Sequence, residues 1–209
     1  MNQSALPSVT THELLALFAG TELIQQSAPF ARTMNFPQGE AQAAMMLAGA
    51  TTLAVRKLVD SGAEPPHVDE RVEPLRALLG SPEAWVHLIV RTEAGQRSLR
   101  LGLSSRIQFI LGERLAGIHE VEVASDSTTP REFVTAALSA LAEPLSAAPK
   151  AQILARCHRA GQDTPVNLLL LNGQASLAAQ PLDSQGRLTA QPVDDLADAV
   201  RRMSLILAG

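Results

Sequence analysis

The sequence predicts an α+β protein with a largely antiparallel sheet. The sheet is built from two pseudo-twofold related strand sets, each followed by a helix, and an N-terminal helical part precedes them. Three observations carry that expectation. Hydrophobic spacing is helical up to Leu79 and changes to short, alternating runs from Ala84 onward. A succession of strands between Ala84 and Val123 recurs, in weaker copy, between Ala151 and Pro192. Each copy closes on an extended segment that reaches a capping residue, Thr128 or Thr129 in the first and Asp194 in the second, and leads into an amphipathic helix. The expected organisation is one domain over residues 1–209, with a helical part at 10–80, a first strand set and helix at 84–145, and a second at 151–208.

Thr10 or Thr11 caps a first helix carrying Leu14, Leu15, Leu17 and Phe18 and ending at Gly20. From Thr21 to Gly39 the spacing is irregular and Pro29 and Pro37 interrupt it, which predicts a loop or extended arm. Glu40 to Asp60 is rich in helix formers. Met45, Met46, Ala50, Leu53 and Leu58 cover much of its circumference, so a largely buried helix is expected in preference to an exposed partner groove. Arg56 and Lys57 sit near its end, where cations favour the dipole, and Ser61 with Gly62 stops it. Pro65 and Pro66 make a stiff connection to a helix over Val68–Leu79, whose regular part begins near Glu73 because Pro74 is best placed in a first turn.

Strands are expected at Trp85–Val90, Arg97–Leu103, Arg106–Leu111 and Ile118–Val123, then at Gln152–Arg159, Val166–Leu171, Ala175–Gln180 and Arg187–Gln191. Glu120 and Glu122 share one side of their strand, as an antiparallel meander with one wet face requires. Leu168 to Leu171 is a continuous apolar run that suits a strand covered on both faces, and Asn172–Gly173 is a two-residue hairpin signal. Matched by pattern, Trp85–Arg91 corresponds to Ile153–Arg159, Leu99–Leu103 to Asn167–Leu171, and Glu120–Ser125 to Thr189–Asp194.

Composition excludes several classes. At 46% hydrophobic and 18% charged the chain reads as globular, and with aromatics at 3% and no Tyr its core is mainly aliphatic. A single cysteine, Cys157, rules out an internal disulfide. The first residues lack the features of a leader, and no run approaches the roughly 20 apolar residues of a membrane span, so a cytoplasmic protein with no membrane association is expected. A net charge of −4 and a pI near 5.7 oppose nucleic-acid binding. Arg91, Arg97, Arg100, Arg106 and Arg114 gather in the first strand set, but interleaved acidic residues make that a solvated face.

No catalytic, cofactor or metal motif emerges. His12, His67, His87, His119 and His158 are scattered without metal-ligand spacing, and a meeting of His87 with His119 across neighbouring strands would be an ordinary pair. Cys157 and His158 are adjacent on one strand and point to opposite faces, so they form no nucleophile and base. Ser104 and Ser105 belong to a tight turn, and the acidic pairs Asp69–Glu70 and Asp194–Asp195 occupy helix starts. No phosphate loop and no GxSxG elbow is present. A non-enzymatic protein without cofactors is expected.

The succession LAVRKLVDSGAE, HVDERVEPLRALLGSPEA and WVHLIVRT resembles the EspG-type chaperones of type VII secretion. The closing LTAQPVDDLADAVRRMSLIL looks like that family's last strand and helix, and the opening TTHELLALF is compatible with its start. The resemblance implies a quasi-twofold α/β fold and a cytosolic chaperone or adaptor that masks a helical, aggregation-prone tip of a secretion substrate such as a PE and PPE pair. For contact with a protein partner, the candidates are Thr92, Glu93 and Gln96 in a loop and Leu205 and Leu207 on the last helix. Two alternatives stand beside it: a homodimeric scaffold pairing through a sheet edge or the Met-rich helix, and a small-molecule-binding protein with a pocket between sheet and helices.

Overall fold

The computed structural model describes residues 6–19, 21–25, 28–60, 62, 67–115, 117–124, 128–172, 174–182 and 188–209. The chain opens with a short strand β1 (Val9–Thr10) and helix α1 (Thr11–Leu17). Thr10 caps α1 reciprocally: its Oγ1 accepts from Glu13 N at 3.1 Å, and the Glu13 carboxylate accepts from Thr10 N at 2.8 Å. The expected loop at 21–39 instead holds a 3₁₀ turn (Glu22–Ile24) and helix α2 (Pro29–Met34). Pro29 starts α2 with its φ already set, and Asn35 at φ 51° ends it in the left-handed conformation. Less than two turns leave no periodicity to read.

Helix α3 (Glu40–Val55) is shorter than its apolar pattern implies. Lys57, at φ 55°, turns the chain into β2 (Val59–Asp60), which pairs with β3 (His67–Val68). Helix α4 (Glu73–Gly80) begins with Pro74 in its first turn, as expected, and buries Leu75, Leu78 and Leu79. The expected stops at Gly20 and Ser61, the Pro65–Pro66 connection, Ser125, Gly173 and Arg187 lie outside the described residues.

From Ala84 the chain forms β4 (Ala84–Thr92), β5 (Gly95–Leu103), β6 (Gln108–Leu115), β7 (Ile118–Val123) and α5 (Pro130–Ala142). It then repeats the order as β8 (Lys150–Arg159), β9 (Gln162–Leu171), β10 (Gln174–Leu182), β11 (Leu188–Pro192) and α6 (Leu196–Ala208). Thr129 caps α5 in a box with Glu132, whereas α6 is capped by Asp195, one residue beyond the expected Asp194. Among the described residues the large sheet is antiparallel, in the order β1-β7-β6-β5-β4-β8-β9-β10-β11. Prolines fall where a missing N–H is harmless: Pro192 on the edge strand, and Pro165 beyond the last β9–β10 pair, Val166 with Ala179.

The two meanders meet at β4 and β8. The β4–β5 hairpin closes with Thr92 opposite Gly95, and the β8–β9 hairpin closes with Arg159 opposite Gln162. Thr92 and Arg159 are therefore equivalent, one residue away from the pattern match made on sequence. Stepping back equally along both strands makes Leu88 the equivalent of Ala155. These two are directly opposed in the β4–β8 ladder, so the pseudo-dyad passes between them.

One face of the sheet, with Val86, Leu88, Leu101, Ile153, Cys157 and Leu168, packs under α5 and α6. On the other face Trp85, Phe109 and Leu111 join Leu14, Phe18, Phe30, Leu53 and Leu75 from the N-terminal part. Edge contacts link Phe18 to Phe30 (centroids 5.6 Å) and Trp85 to Phe109 (5.3 Å). Gly102 stands between Trp85 and Phe109 in the cross-strand row, and a Cβ there would lie 2.4 Å from the Phe109 ring. The N-terminal layer packs on β4 and β8 through α2 and touches β9 near its start, where Arg32 pairs with Asp163. As a result Leu168 and Leu170 are buried while Leu171 is 49% exposed, which corrects the expectation of a strand covered on both faces.

Candidate functional site

Helix α3 contradicts its sequence expectation most sharply. Residues 41–55 carry no charged side chain, and such a helix, apolar all round, belongs in an interior. Only Gly49 and Leu53 are buried; Leu47 is 70% exposed and Val55 78%. Ala43, Ala44, Leu47, Ala48, Ala50 and Thr51 form most of an outward apolar surface. The Thr51 and Thr52 hydroxyls donate to the Leu47 and Ala48 carbonyls at 2.8 and 2.9 Å, so they bond the helix itself and add little polarity outward.

The inner side of α3 is fixed tightly. Gly49 lets the helix lie against the α1 backbone, where a Cβ would come within 2.0 Å of the His12 carbonyl oxygen. Arg56 Nη1 donates to both oxygens of the fully buried Glu13 carboxylate, at 2.9 and 2.7 Å, and Arg56 Nη2 donates to Ser8 O at 3.0 Å. The result is a rigidly seated helix whose free side is apolar and built largely of small residues, a shape that admits a second helix at short distance.

The other partner-contact candidates are not brought together. Thr92 and Gln96 flank the β4–β5 turn, where Thr92 Oγ1 donates to Gly95 O at 3.4 Å and Arg91 Nε donates to Gln96 Oε1 at 3.0 Å; Glu93 is exposed at its tip. That turn lies where Thr92 pairs with Ala151, whereas the Leu207 carbonyl accepts from Arg159, at the opposite end of β8. Leu205 is 42% exposed, but Leu207 is fully buried in the core under α6 and has no surface to offer a partner.

The chemistry-bearing residues are equally separated. Two strands, β5 and β6, stand between His87 and His119, so they do not meet across neighbouring strands. His119 Nε2 lies 2.8 Å from Thr11 Oγ1, and burial, reinforced by the Arg100 charge, pushes its pKa down to about 4. Burial does the same to His87, again to about 4, with Arg100, His158 and Arg156 adding to it. Cys157 is buried under the helices while His158, on the opposite face, bonds Asp163 through Nδ1 at 3.0 Å. Ser104 serves its turn, donating to Ile107 O at 2.9 Å. Among the described residues no group of three or more His, Cys, Asp or Glu could hold a metal ion, and no helix is long and apolar enough to cross a membrane.

No model of a known protein family matches the chain, and no curated protein matches it.

Proposed function

We propose that this protein is a secretion-associated chaperone or adaptor that holds a helical, aggregation-prone segment of a partner against the outer face of α3. The observation that carries the reading is a helix with no charged side chain after Glu40, seated firmly by its inner side and exposed on its apolar outer side, at Leu47 and Val55 above all. The resemblance to EspG-type chaperones supplies the kind of partner, a helical secretion substrate such as a PE and PPE pair, and a cytoplasmic place of action. Leu205 and the β4–β5 turn, with Thr92, Glu93 and Gln96, are secondary contacts in this reading.

Fully burying Leu47 and Val55 is worth about 2 kcal/mol each. Replacing both by Glu therefore weakens the complex by at least about a hundredfold. Co-expression with helical secretion substrates from neighbouring genes is expected to give a soluble complex that the L47E/V55E protein does not form, although it folds. No gain in substrate solubility or co-purification overturns the proposal, as does a complex indifferent to L47E/V55E. Light scattering at two concentrations separates this reading from the alternative in which α3 packs on α3 of a second copy.

A further inference from the structure

Beside the pseudo-dyad, on the face that α2 covers only partly, the sheet carries a row of basic side chains. Arg100 of β5, His87 of β4 and Arg156 of β8 are consecutive cross-strand neighbours. A cleft of about 450 Å³ opens between the His87–Arg156 part of this row, α2 and β9, lined by Arg32, His87, Arg156, His158 and Asn167 among others. Its volume falls in the range of small-ligand sites. A second, smaller depression shares Arg32, Arg156 and His158 and extends past Asp163.

The charges here do not balance. Asp163 is the carboxylate among these lining residues, and its Oδ1 already serves both Arg32 Nη1 and His158 Nδ1 at 3.0 Å. Arg156 has no carboxylate partner among the described residues. Arg100 is 7% exposed; its Nε donates to Thr33 O at 3.0 Å, and its Nη1 has no partner. Arg32 Nε and His87 Nε2 are also buried and unpartnered. A buried donor left unmade is costly, and Arg32 Nε together with the unpaired Arg156 guanidinium on one cleft is the complement of an oxyanion. The next pair along β4 and β8 is apolar, Ile89 opposite Leu154, and both line the same cleft.

We propose that this cleft binds a small organic oxyanion, a carboxylate or phosphate ester with an apolar body. Its charged head lies among Arg32, His87, Arg156 and His158, and its apolar body lies on Ile89 and Leu154. Arg156 is the anchor to remove, because its side chain is exposed and has no hydrogen-bond or ion-pair partner among the described residues, so its loss leaves the scaffold intact. The site lies apart from α3 and stands whether or not the adaptor reading does.

Calorimetric titration with octanoate, octyl phosphate and octanol tests it on the full chain. Saturable binding of octanoate, octyl phosphate or both, absent with octanol and weakened at least about tenfold by R156Q, is the expected result. H87Q, which keeps a polar side chain but removes the imidazole, is expected to weaken the same binding. The two anionic probes distinguish a carboxylate from a phosphate head. The proposal is overturned if neither anion binds, if octanol binds as well as they do, or if R156Q binds like the natural chain.

Discussion

Arg56 holds both oxygens of the Glu13 carboxylate, and Glu13 has no exposed surface at all. The pair fastens the C-terminal end of α3 to the start of α1. Removing one partner of such a pair leaves a buried charge uncompensated, which costs about 3–5 kcal/mol when both groups are inaccessible. The Arg56 side chain is 36% exposed, so screening reduces the effect, and R56M is expected to cost about 2–3 kcal/mol. The E13Q/R56M double variant should recover part of that loss, as urea denaturation of the three proteins will show.

Gly49 is the second fastening. Alanine is the better helix former by about 1 kcal/mol, yet its Cβ would sit 2.0 Å from the His12 carbonyl oxygen, a backbone atom that cannot swing aside. G49A is therefore expected to destabilise by about 2–3 kcal/mol, in the range of overpacked cores. G112A is the control, because nothing lies within 4 Å of a Cβ there. Equal thermal midpoints for the two variants would contradict the close α1–α3 contact.

His87 and His119 are held neutral, with pKa values near 4 in the fold against an ordinary 6.5. Between those values the unfolded chain binds more protons than the folded one, so stability rises with pH there. Their contribution is fully present above pH 6.5 and is lost as pH falls through 4. Asp69 and Glu132 are held below the usual carboxylate range by hydrogen bonds from Arg71 and Thr129, so what they contribute is likewise lost as pH falls. Thermal midpoints should fall between pH 6.5 and 4, and less steeply in H119Q.

Burial pushes the Cys157 thiol up, and its side chain lies under α5 and α6. In native protein at pH 8 it should resist iodoacetamide and react fully once urea unfolds the chain. Rapid labelling of the native state would show that α5 and α6 open readily.

Several elements were legible because their signals are local. Thr10 and Thr129 sit three residues before Glu13 and Glu132, and each pair closes a capping box. The strand order of both meanders followed from short apolar runs, cleanly alternating at Arg97–Leu103 and continuous at Leu168–Leu171, with turn residues between them. Helix α2 was hidden because it has too few turns to show a period. The burial of α3 was misjudged because composition reports how apolar a helix is, not what covers it; its outer residues, Leu47 and Val55, are missed for that reason. The cleft was invisible because Arg32, His87 and Arg156 are far apart in sequence and meet through the β4–β8 register and the placement of α2.

The dyad between Leu88 and Ala155 has one more consequence. His87 and Leu154 occupy equivalent places about it, as do Ile89 and Arg156. In a dimer of identical chains, any residue beside the axis appears twice, so a groove there must have matching walls. Because both halves belong to one polypeptide, each position changes independently of its mate. The groove at the axis can therefore carry a polar wall, neutral His87 with cationic Arg156, and a greasy wall, Ile89 with Leu154. A bound molecule is then given a single orientation, a polarity that two separate copies of either half could not provide.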